Sequence, residues 1–261
     1  ADRPGSTSPW TLQLTGRYPA ACEAKEWPVL WPGTDPNDHT ERVLAAAWRE
    51  AGGSLKGHVK AGPWPDGQRA WITLYSPPLA TVVRDINKFS NNVMARQLFL
   101  TLGRPAAEPH QDWAAPATLA LARQRVQAWV DQATTAQNGA DHPCDAQALA
   151  LDNGSGLSRE ERSTAQCVGR WLQRLWASPV MPDLLASLPI AGVDGTAKRF
   201  TNVTGRAHIK TGSLDGVVAV AGVVLTDSGR RDVVVAVIND PRAEAARPAL
   251  RALLQWAAEN P

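Results

Sequence analysis

The sequence has few of the residues that cross-link a protein through metals or disulfides. Its 261 residues include three cysteines, Cys22, Cys144 and Cys167, and no two of them lie in a Cys-x-x-Cys spacing. The five histidines form no His-x-His or His-x-x-x-His pair. Because such spacings are typical of zinc sites, the sequence does not indicate a metal site. We expect the cysteines to act as small apolar side chains, although one pair could form a disulfide in an oxidising compartment.

Charge of one sign and long apolar runs are also scarce. The net charge is +2, and no block of lysine and arginine occurs, so the usual electrostatic signature of nucleic-acid binding is missing. No 18 consecutive residues are apolar, and the sequence therefore predicts no transmembrane helix. With 44% hydrophobic and 20% charged residues, the composition is typical of a globular protein of one domain or slightly more.

The first 38 residues differ in composition and apolar pattern from the rest. They are irregular, contain many prolines and have no apolar pattern that would form a core, so we predict a domain boundary near residues 36–40. Beyond it, helical periodicity and turn residues indicate several short elements. The predicted helices are 38–50, 77–89, 93–102, 116–136, 159–176 and 181–188, and two short strands are predicted at 54–60 and 70–75.

The last 57 residues give the clearest pattern. Strands are predicted at 205–210, 217–225 and 232–238, because apolar runs there are separated by turn residues. A closing helix at 242–259 should pack on this sheet through Ala245, Ala249, Leu253 and Trp256. Three antiparallel strands covered by a helix predict an α/β (α+β) fold, with an antiparallel sheet and a C-terminal helix packed on it.

Two polar motifs interrupt these apolar elements. Lys210, at the predicted strand end, offers a cation, and Thr211 a hydroxyl donor. Gly212 would let a substrate backbone approach, and the Ser213 N–H is a candidate oxyanion donor. Such a lysine is also common on sheet edges without any function. The second motif, residues 90–92, is Ser-Asn-Asn between two helices, where the simplest interpretation is a helix cap.

A third polar stretch, residues 152–161, is a glycine-rich loop. We expect Ser158 to cap the following helix with Glu161 as the third residue of a capping box. Ser155 departs from the Gly-x-Ser-x-Gly nucleophile pattern, because Asn153 stands where glycine is needed. A hydrolase that uses Ser155 nevertheless stays an alternative, with His208 as its candidate base.

Taken in order, the motifs resemble the penicillin-binding D-alanyl-D-alanine carboxypeptidase and endopeptidase family of the DacB type, peptidase family S13. The resemblance runs from about Asp38 to the C-terminus and includes three segments, 78–88, 188–195 and 210–216. It implies a β-lactamase/transpeptidase-like domain over residues 39–261 and a serine-type reaction without a cofactor. It also implies a peptidoglycan stem peptide or a β-lactam as ligand, and a periplasmic location.

The family's roles, transferred to matching positions, concern the two motifs. The resemblance implies that Ser90 relays a proton and that Asn92 binds the substrate amide. Lys210 would supply positive potential and Thr211 would contact the terminal carboxylate. The Ser213 N–H would form half of the oxyanion hole.

One departure from the family is important. Its acylated serine lies in a Ser-x-x-Lys motif, and no serine of this sequence has lysine three residues later. We therefore expect this chain to be the C-terminal portion of such an enzyme, with residues 1–38 as the tail of an inserted accessory domain. Its partner would be the missing N-terminal segment, and the chain alone would be inactive. A non-catalytic module that binds peptidoglycan peptides is the second alternative.

Overall fold

A computed structural model of the chain describes residues 13–19, 36–60, 62–63, 67–69, 71–105, 116–135, 144 and 148–260. The chain divides into two compact units, Ala1–Leu74 and Tyr75–Pro261. In the first unit, helix α1 (Pro36–Glu50) confirms the predicted helix, and its Asp38 pairs with Arg42 one turn later at 3.0 Å. The strands predicted at 54–60 and 70–75 are wrong, since the described residues there form no strand. The boundary at residue 38 stays a prediction.

The second unit begins with three helices that agree with the predicted ones. They are α2 (Leu79–Phe89), α3 (Asn92–Leu102) and α4 (Leu119–Thr135). The side chain of Asn91 accepts a hydrogen bond from Met94 N at 3.0 Å, which caps α3 as the sequence indicated. Only Ser90 and Asn91 separate α2 from α3, so a polar corner lies between two helices.

A three-stranded antiparallel sheet forms the centre of this unit. Its strands are β3 (Ala207–Leu214), β4 (Val217–Leu225) and β5 (Arg231–Asn239), in that spatial order. Two-residue strands β1 (Leu149–Ala150) and β2 (Arg162–Ser163) pair separately. The first long strand was predicted to end at Lys210, but β3 continues to Leu214. It does so because positions 210–213 pair in register with Ala221–Val218 of β4.

Helix α7 (Arg247–Glu259) covers one face of the sheet, as predicted. Of the four predicted contact residues, Leu253 is partly buried and packs against the core, whereas the other three are exposed, Trp256 by 61%. The helix is rich in alanine on several faces, so the periodicity did not define a single stripe. The buried helix residues are Leu250, Leu254, Ala257 and Ala258, which pack in one core with Val218, Val220, Val224 and Ile209 of the sheet.

The other face of the sheet contacts α5 (Ala165–Trp176), which is followed by α6 (Met181–Ser187). Cys167 of α5 forms a disulfide with Cys144, and both residues are buried beside Val130 of α4. Two of the three cysteines therefore form the disulfide that the sequence analysis left open as an alternative to free apolar side chains. Cys22 lies outside the described residues. Within the described part of the chain, no helix is both long and apolar enough to cross a membrane.

Reduction of the Cys144–Cys167 disulfide is expected to lower the free energy of unfolding by about 3 kcal/mol, because the bond joins residues that are 23 positions apart. Urea unfolding with and without a thiol reductant measures this loss. The matched control is the double variant Cys144→Ala/Cys167→Ala, in which reductant should have no effect. A reductant effect of the same size in that variant would contradict the assignment.

Candidate active site

A cleft of about 400 Å³ collects the predicted site residues from four parts of the second unit. It lies where the corner between α2 and α3, the glycine-rich loop, strand β3 and the connector before that strand meet. The six residues predicted for the site all line it. The lining is Ser90, Asn92, Ser155, Gly156, Leu157, Thr196, Arg199, Lys210, Thr211, Gly212 and Ser213.

Ser90 has an uncommon backbone conformation at the edge of this cleft. It ends α2 with φ 52° and ψ 48°, and it is the one non-glycine residue with positive φ in the described chain. A left-handed serine costs about 1 kcal/mol or more, and such strain is concentrated at functional positions. Asn91 caps the start of α3, whereas Ser90 itself caps the end of α2, with its backbone N–H donating to the Ile86 carbonyl.

Lys210 contacts Ser90 directly across 120 residues of sequence. Its Nζ donates to Ser90 Oγ at 2.8 Å and to the Thr211 carbonyl at 2.8 Å. Because an ammonium group only donates, Ser90 Oγ accepts here, and the Ser90 hydroxyl proton is left to point to another acceptor. None of the ion pairs found among the described residues includes Lys210. Burial lowers the pKa of Lys210 below its ordinary value of 10.5, since the charged form is partly desolvated.

The substitution Lys210→Met is expected to leave the free energy of unfolding at pH 7 unchanged or to raise it by about 1 kcal/mol, because it removes a desolvated charge without a carboxylate partner. The lowered pKa of Lys210 also predicts the direction in which the free energy of unfolding changes with pH. Between the folded pKa and 10.5 the unfolded chain binds more protons, so the parent chain should gain stability as pH rises through that range.

Urea unfolding at pH 7, 9 and 10.5 measures both effects, and Lys198→Met, at a nearby exposed lysine, is the matched control. The account would be contradicted if Lys210→Met lowered the free energy of unfolding by several kcal/mol. It would also be contradicted if that free energy rose equally with alkaline pH in Lys210→Met and Lys198→Met.

The remaining residues of the β3 motif have partners that the sequence did not indicate. The Thr211 hydroxyl donates to Thr196 Oγ1 at 3.0 Å, and Arg247 Nη2 donates to Ser213 Oγ at 2.9 Å. A Cβ at Gly212 would meet only Ala219 Cβ, at 3.4 Å, so packing among the described residues does not require glycine there. Sequence reasoning missed Thr196, which directly follows the 188–195 segment, and also Arg247, on the closing helix.

The glycine-rich loop is held in a way that differs from the prediction. Thr164, and not Ser158, caps α5 by accepting from Cys167 N at 3.1 Å. The carboxylate of Glu161 instead accepts the backbone N–H groups of Asn153 and Gly154, each at 2.9 Å. The capping box is therefore wrong, because the loop's own amides lie closer to the carboxylate. This arrangement presents Ser155, Gly156 and Leu157 to the cleft.

Ser155 and His208 are not joined in the described structure. Ser155 Oγ donates to Asn153 Oδ1 at 2.7 Å and accepts from Leu157 N at 3.2 Å. His208 Nδ1 lies 3.0 Å from the carbonyl oxygen of Leu185. The geometry therefore gives Ser155 an amide neighbour and no base. Among the described residues, no group of three or more His, Cys, Asp or Glu side chains is arranged to bind a metal ion.

Comparison with known proteins gives the family. Residues 5–260 match the model of the D-Ala-D-Ala carboxypeptidase 3 (S13) family. The chain belongs to this family. A D-alanyl-D-alanine carboxypeptidase of Actinomadura sp. is 30% identical over 234 residues, which cover 85% of this chain and 40% of the relative. A carboxypeptidase of Mycobacterium tuberculosis is 30% identical over 202 residues, 72% of this chain and 39% of the relative. The S13 chain thus spans about two fifths of the curated relatives it matches.

Solved structures confirm the fold class. Penicillin-binding protein 4 (dacB) of Haemophilus influenzae, in complex with a β-lactam, superposes with a TM-score of 0.63 and 21% identity. That match covers 87% of this chain and 52% of the other. A predatory endopeptidase of Bdellovibrio bacteriovorus gives a TM-score of 0.55 at 19% identity, covering 69% of this chain and 43% of the other. The S13 chain therefore has the transpeptidase-like arrangement that the sequence implied.

Two of the family segments are joined by an ion pair between Lys88 and Asp194. Lys88 Nζ donates to Asp194 Oδ2 at 2.6 Å and to the Leu188 carbonyl at 2.8 Å. Asp194 Oδ1 accepts from Ile190 N at 2.7 Å. Burial by itself would raise the pKa of Asp194, but these two donors outweigh it and lower the pKa. The pair thus fixes Ser90, two residues after Lys88, relative to Thr196, two residues after Asp194.

Gly195 permits this close approach. Its φ is +53°, and a Cβ there would lie 2.4 Å from the carbonyl oxygen of Lys88. Any larger residue would push the end of α2 away from the connector. The sequence showed both segments as part of the family resemblance, but nothing in their spacing indicated that they meet.

Lys88→Met is expected to cost about 1–3 kcal/mol, since it leaves the Asp194 carboxylate and the Leu188 carbonyl without their donor. The lowered pKa of Asp194 means that its contribution is complete above the ordinary carboxyl pKa of 3.8 and is lost as pH falls through the folded pKa. Urea unfolding of the parent and Asp194→Asn between pH 7 and pH 3 measures this acid-linked part. Equal acid sensitivity in the parent and Asp194→Asn would contradict it.

Proposed function

We propose that this chain supplies the substrate-binding and proton-transferring part of a serine-type D-Ala-D-Ala carboxypeptidase or endopeptidase. The reaction would act on peptidoglycan stem peptides through an acyl-enzyme. Family membership and carboxypeptidase relatives support the class of reaction. The observation that carries the proposal is the 2.8 Å contact between Lys210 Nζ and Ser90 Oγ inside the cleft.

The proton route follows from the direction of that hydrogen bond. During acylation, the hydroxyl oxygen of the nucleophile bonds to the carbonyl carbon of the scissile amide, and the C–N bond breaks. The nucleophile's proton must reach the leaving amine nitrogen. Because the Ser90 hydroxyl accepts a hydrogen bond from Lys210, its own proton is free to be exchanged, and Ser90 can relay a proton from the nucleophile's oxygen to the amine nitrogen. The positive charge of Lys210 favours ionised neighbours during this transfer.

The other residues of the cleft would hold the peptide. Asn92, at the start of α3, would hydrogen-bond the substrate's amide backbone. Thr211 would contact the terminal carboxylate. Its hydroxyl, which donates to Thr196 Oγ1 in the structure, would donate to the ligand instead. The Ser213 N–H would donate to the oxyanion, an interaction that is large in acyl transfer. Gly212 leaves room for the substrate chain beside the strand.

The nucleophile is proposed to lie outside these 261 residues. No serine of the sequence is followed by lysine at the third position, and Ser155 contacts an amide and a backbone N–H instead of a base. A Ser-x-x-Lys segment of the same protein would complete the cleft, with residues 1–38 as the tail of an accessory domain. The disulfide and the cell-wall substrate support a periplasmic location.

The isolated chain should not be acylated by a fluorescent penicillin, whereas the natural protein that contains the Ser-x-x-Lys segment should be labelled with one equivalent. Gel fluorescence and intact mass measure the adduct. Stoichiometric labelling of the isolated chain would contradict the proposal and would indicate Ser90 or Ser155 as the nucleophile. The variants Ser90→Ala and Ser155→Ala would then identify which one reacts.

A binding module without chemistry is the second candidate, and it is favoured by the same missing motif. Saturable binding of a D-Ala-D-Ala peptide, together with no release of D-alanine by the natural protein, would select this candidate. Release of D-alanine by the natural protein would exclude it. A separate Ser155 hydrolase would be dismissed if Ser155→Ala left that release unchanged.

A further inference from the structure

The glycine-rich loop, residues 152–161, is closed at its base by its own last residue. One carboxylate oxygen of Glu161 accepts the backbone N–H groups of Asn153 and Gly154 at 2.9 Å each, and that of Asp152 at 3.4 Å. Successive N–H groups that point at one anion form a concave binding site, and hydrogen bonds to a charged acceptor are stronger than neutral ones. Glu161 therefore joins the two ends of the loop.

Two helices hold the same base from outside. Arg123 of α4 donates from Nε to the Asp152 carbonyl at 2.7 Å and from Nη2 to Asp152 Oδ1 at 2.6 Å. Such a forked contact fixes direction as well as distance. Gly154 lies against α3, because a Cβ built at Gly154, where φ is +76°, would be 2.3 Å from Phe99 Cβ. The base of the loop thus has fixed neighbours in both α3 and α4.

The tip of the loop, residues 155–157, is shaped from within. Asn153 Oδ1 accepts from Ser155 N at 2.8 Å and from Ser155 Oγ at 2.7 Å, and Asn153 Nδ2 donates to the Leu157 carbonyl at 3.2 Å. These bonds fix the shape of the tip but not its distance from β3, because all partners belong to the loop. Among the described residues, apart from its chain neighbours, no atom lies within 4 Å of a Cβ built on Gly156. The position of the tip therefore depends on the base.

We propose that Glu161 and Arg123 are positioning residues that hold the tip at the distance from β3 that a bound acyl-peptide requires. The tip lines the cleft together with residues 210–213, whereas neither Glu161 nor Arg123 is part of the cleft lining. This inference rests on the proposed function and adds the residues that set the width of the cleft. A misplacement of about 1 Å can cost roughly a hundredfold in rate, so loss of either anchor should slow acylation.

The test uses the natural protein that contains the Ser-x-x-Lys segment, and it measures both the rate of acylation by a fluorescent penicillin and the final extent of labelling. Glu161→Ala and Arg123→Gln should each be acylated about tenfold more slowly than the parent, because the tip is displaced. Both should still reach one equivalent, since a positioning residue changes the rate and not the fraction of folded protein. Glu161→Gln keeps an oxygen acceptor for the loop amides and should react within about threefold of the parent rate.

The matched control is Glu160→Ala, which removes the same charge one residue away at an exposed position outside the cleft lining. It should be acylated at the parent rate, and unfolding temperatures should verify the folding of all variants. If Glu161→Ala does not fold, Arg123→Gln decides the test from the other side of the loop.

The inference is wrong, while the proposed function stands, if the folded Glu161→Ala and Arg123→Gln variants react at the parent rate. It is also wrong if Glu160→Ala is slowed as much, or if Glu161→Gln is as slow as Glu161→Ala. If the parent protein takes up no penicillin, the proposed function fails, and this inference fails with it.

Discussion

The hydrogen bond from Lys210 to Ser90 is the contact on which the site depends. It joins the middle of β3 to the corner between α2 and α3, two places 120 residues apart in sequence. Each partner carries a free-energy cost, because the Lys210 ammonium is partly desolvated and Ser90 has a left-handed backbone conformation. The 2.8 Å contact between these two residues is the feature that supports the proposed catalytic role.

The surrounding structure holds these two residues in place. Val218, Val220 and Val224 of β4 are buried against α7 and keep β3 fixed at the sheet edge. The Lys88–Asp194 pair connects α2 to the connector that precedes β3, at 2.6 Å. Lys88 lies two residues before Ser90, and Asp194 lies two residues before Thr196. A small movement of either segment would therefore shift a side chain that lines the cleft. The scaffold thus places polar groups by means of contacts outside the cleft itself.

Local sequence patterns predicted much of this arrangement. The runs of valine at 217–225 and 232–238 indicated the sheet, because such residues suit a pleated, buried strand. Lys210 and Thr211 stood out because polar groups interrupt an apolar region. The end of β3 was missed, since polar residues in an edge strand look like a turn when their partner strand is unknown. The buried face of α7 was predicted only in part, at Leu253, because alanine occurs on several faces of the helix.

Long-range partners could not be predicted from spacing. Lys88 and Asp194 are 106 residues apart, and Arg247 meets Ser213 across 34 residues. Glu161 was expected to cap a helix, yet it accepts the amides of the glycine-rich loop, because Thr164 lies closer to the start of α5. The pairing of Cys144 with Cys167 likewise depends on the packing of α4 against α5. These choices are decided by the tertiary fold, where several locally reasonable partners compete.

The central claim is that Ser90 and Lys210 serve a nucleophile located outside these residues. The most direct test is to label the natural protein with penicillin and to map the adduct by mass spectrometry of its peptides. The account predicts one adduct on the serine of a Ser-x-x-Lys motif outside the 261 residues, with the peptides that contain Ser90 and Ser155 unmodified. An adduct on any serine of this chain would contradict it.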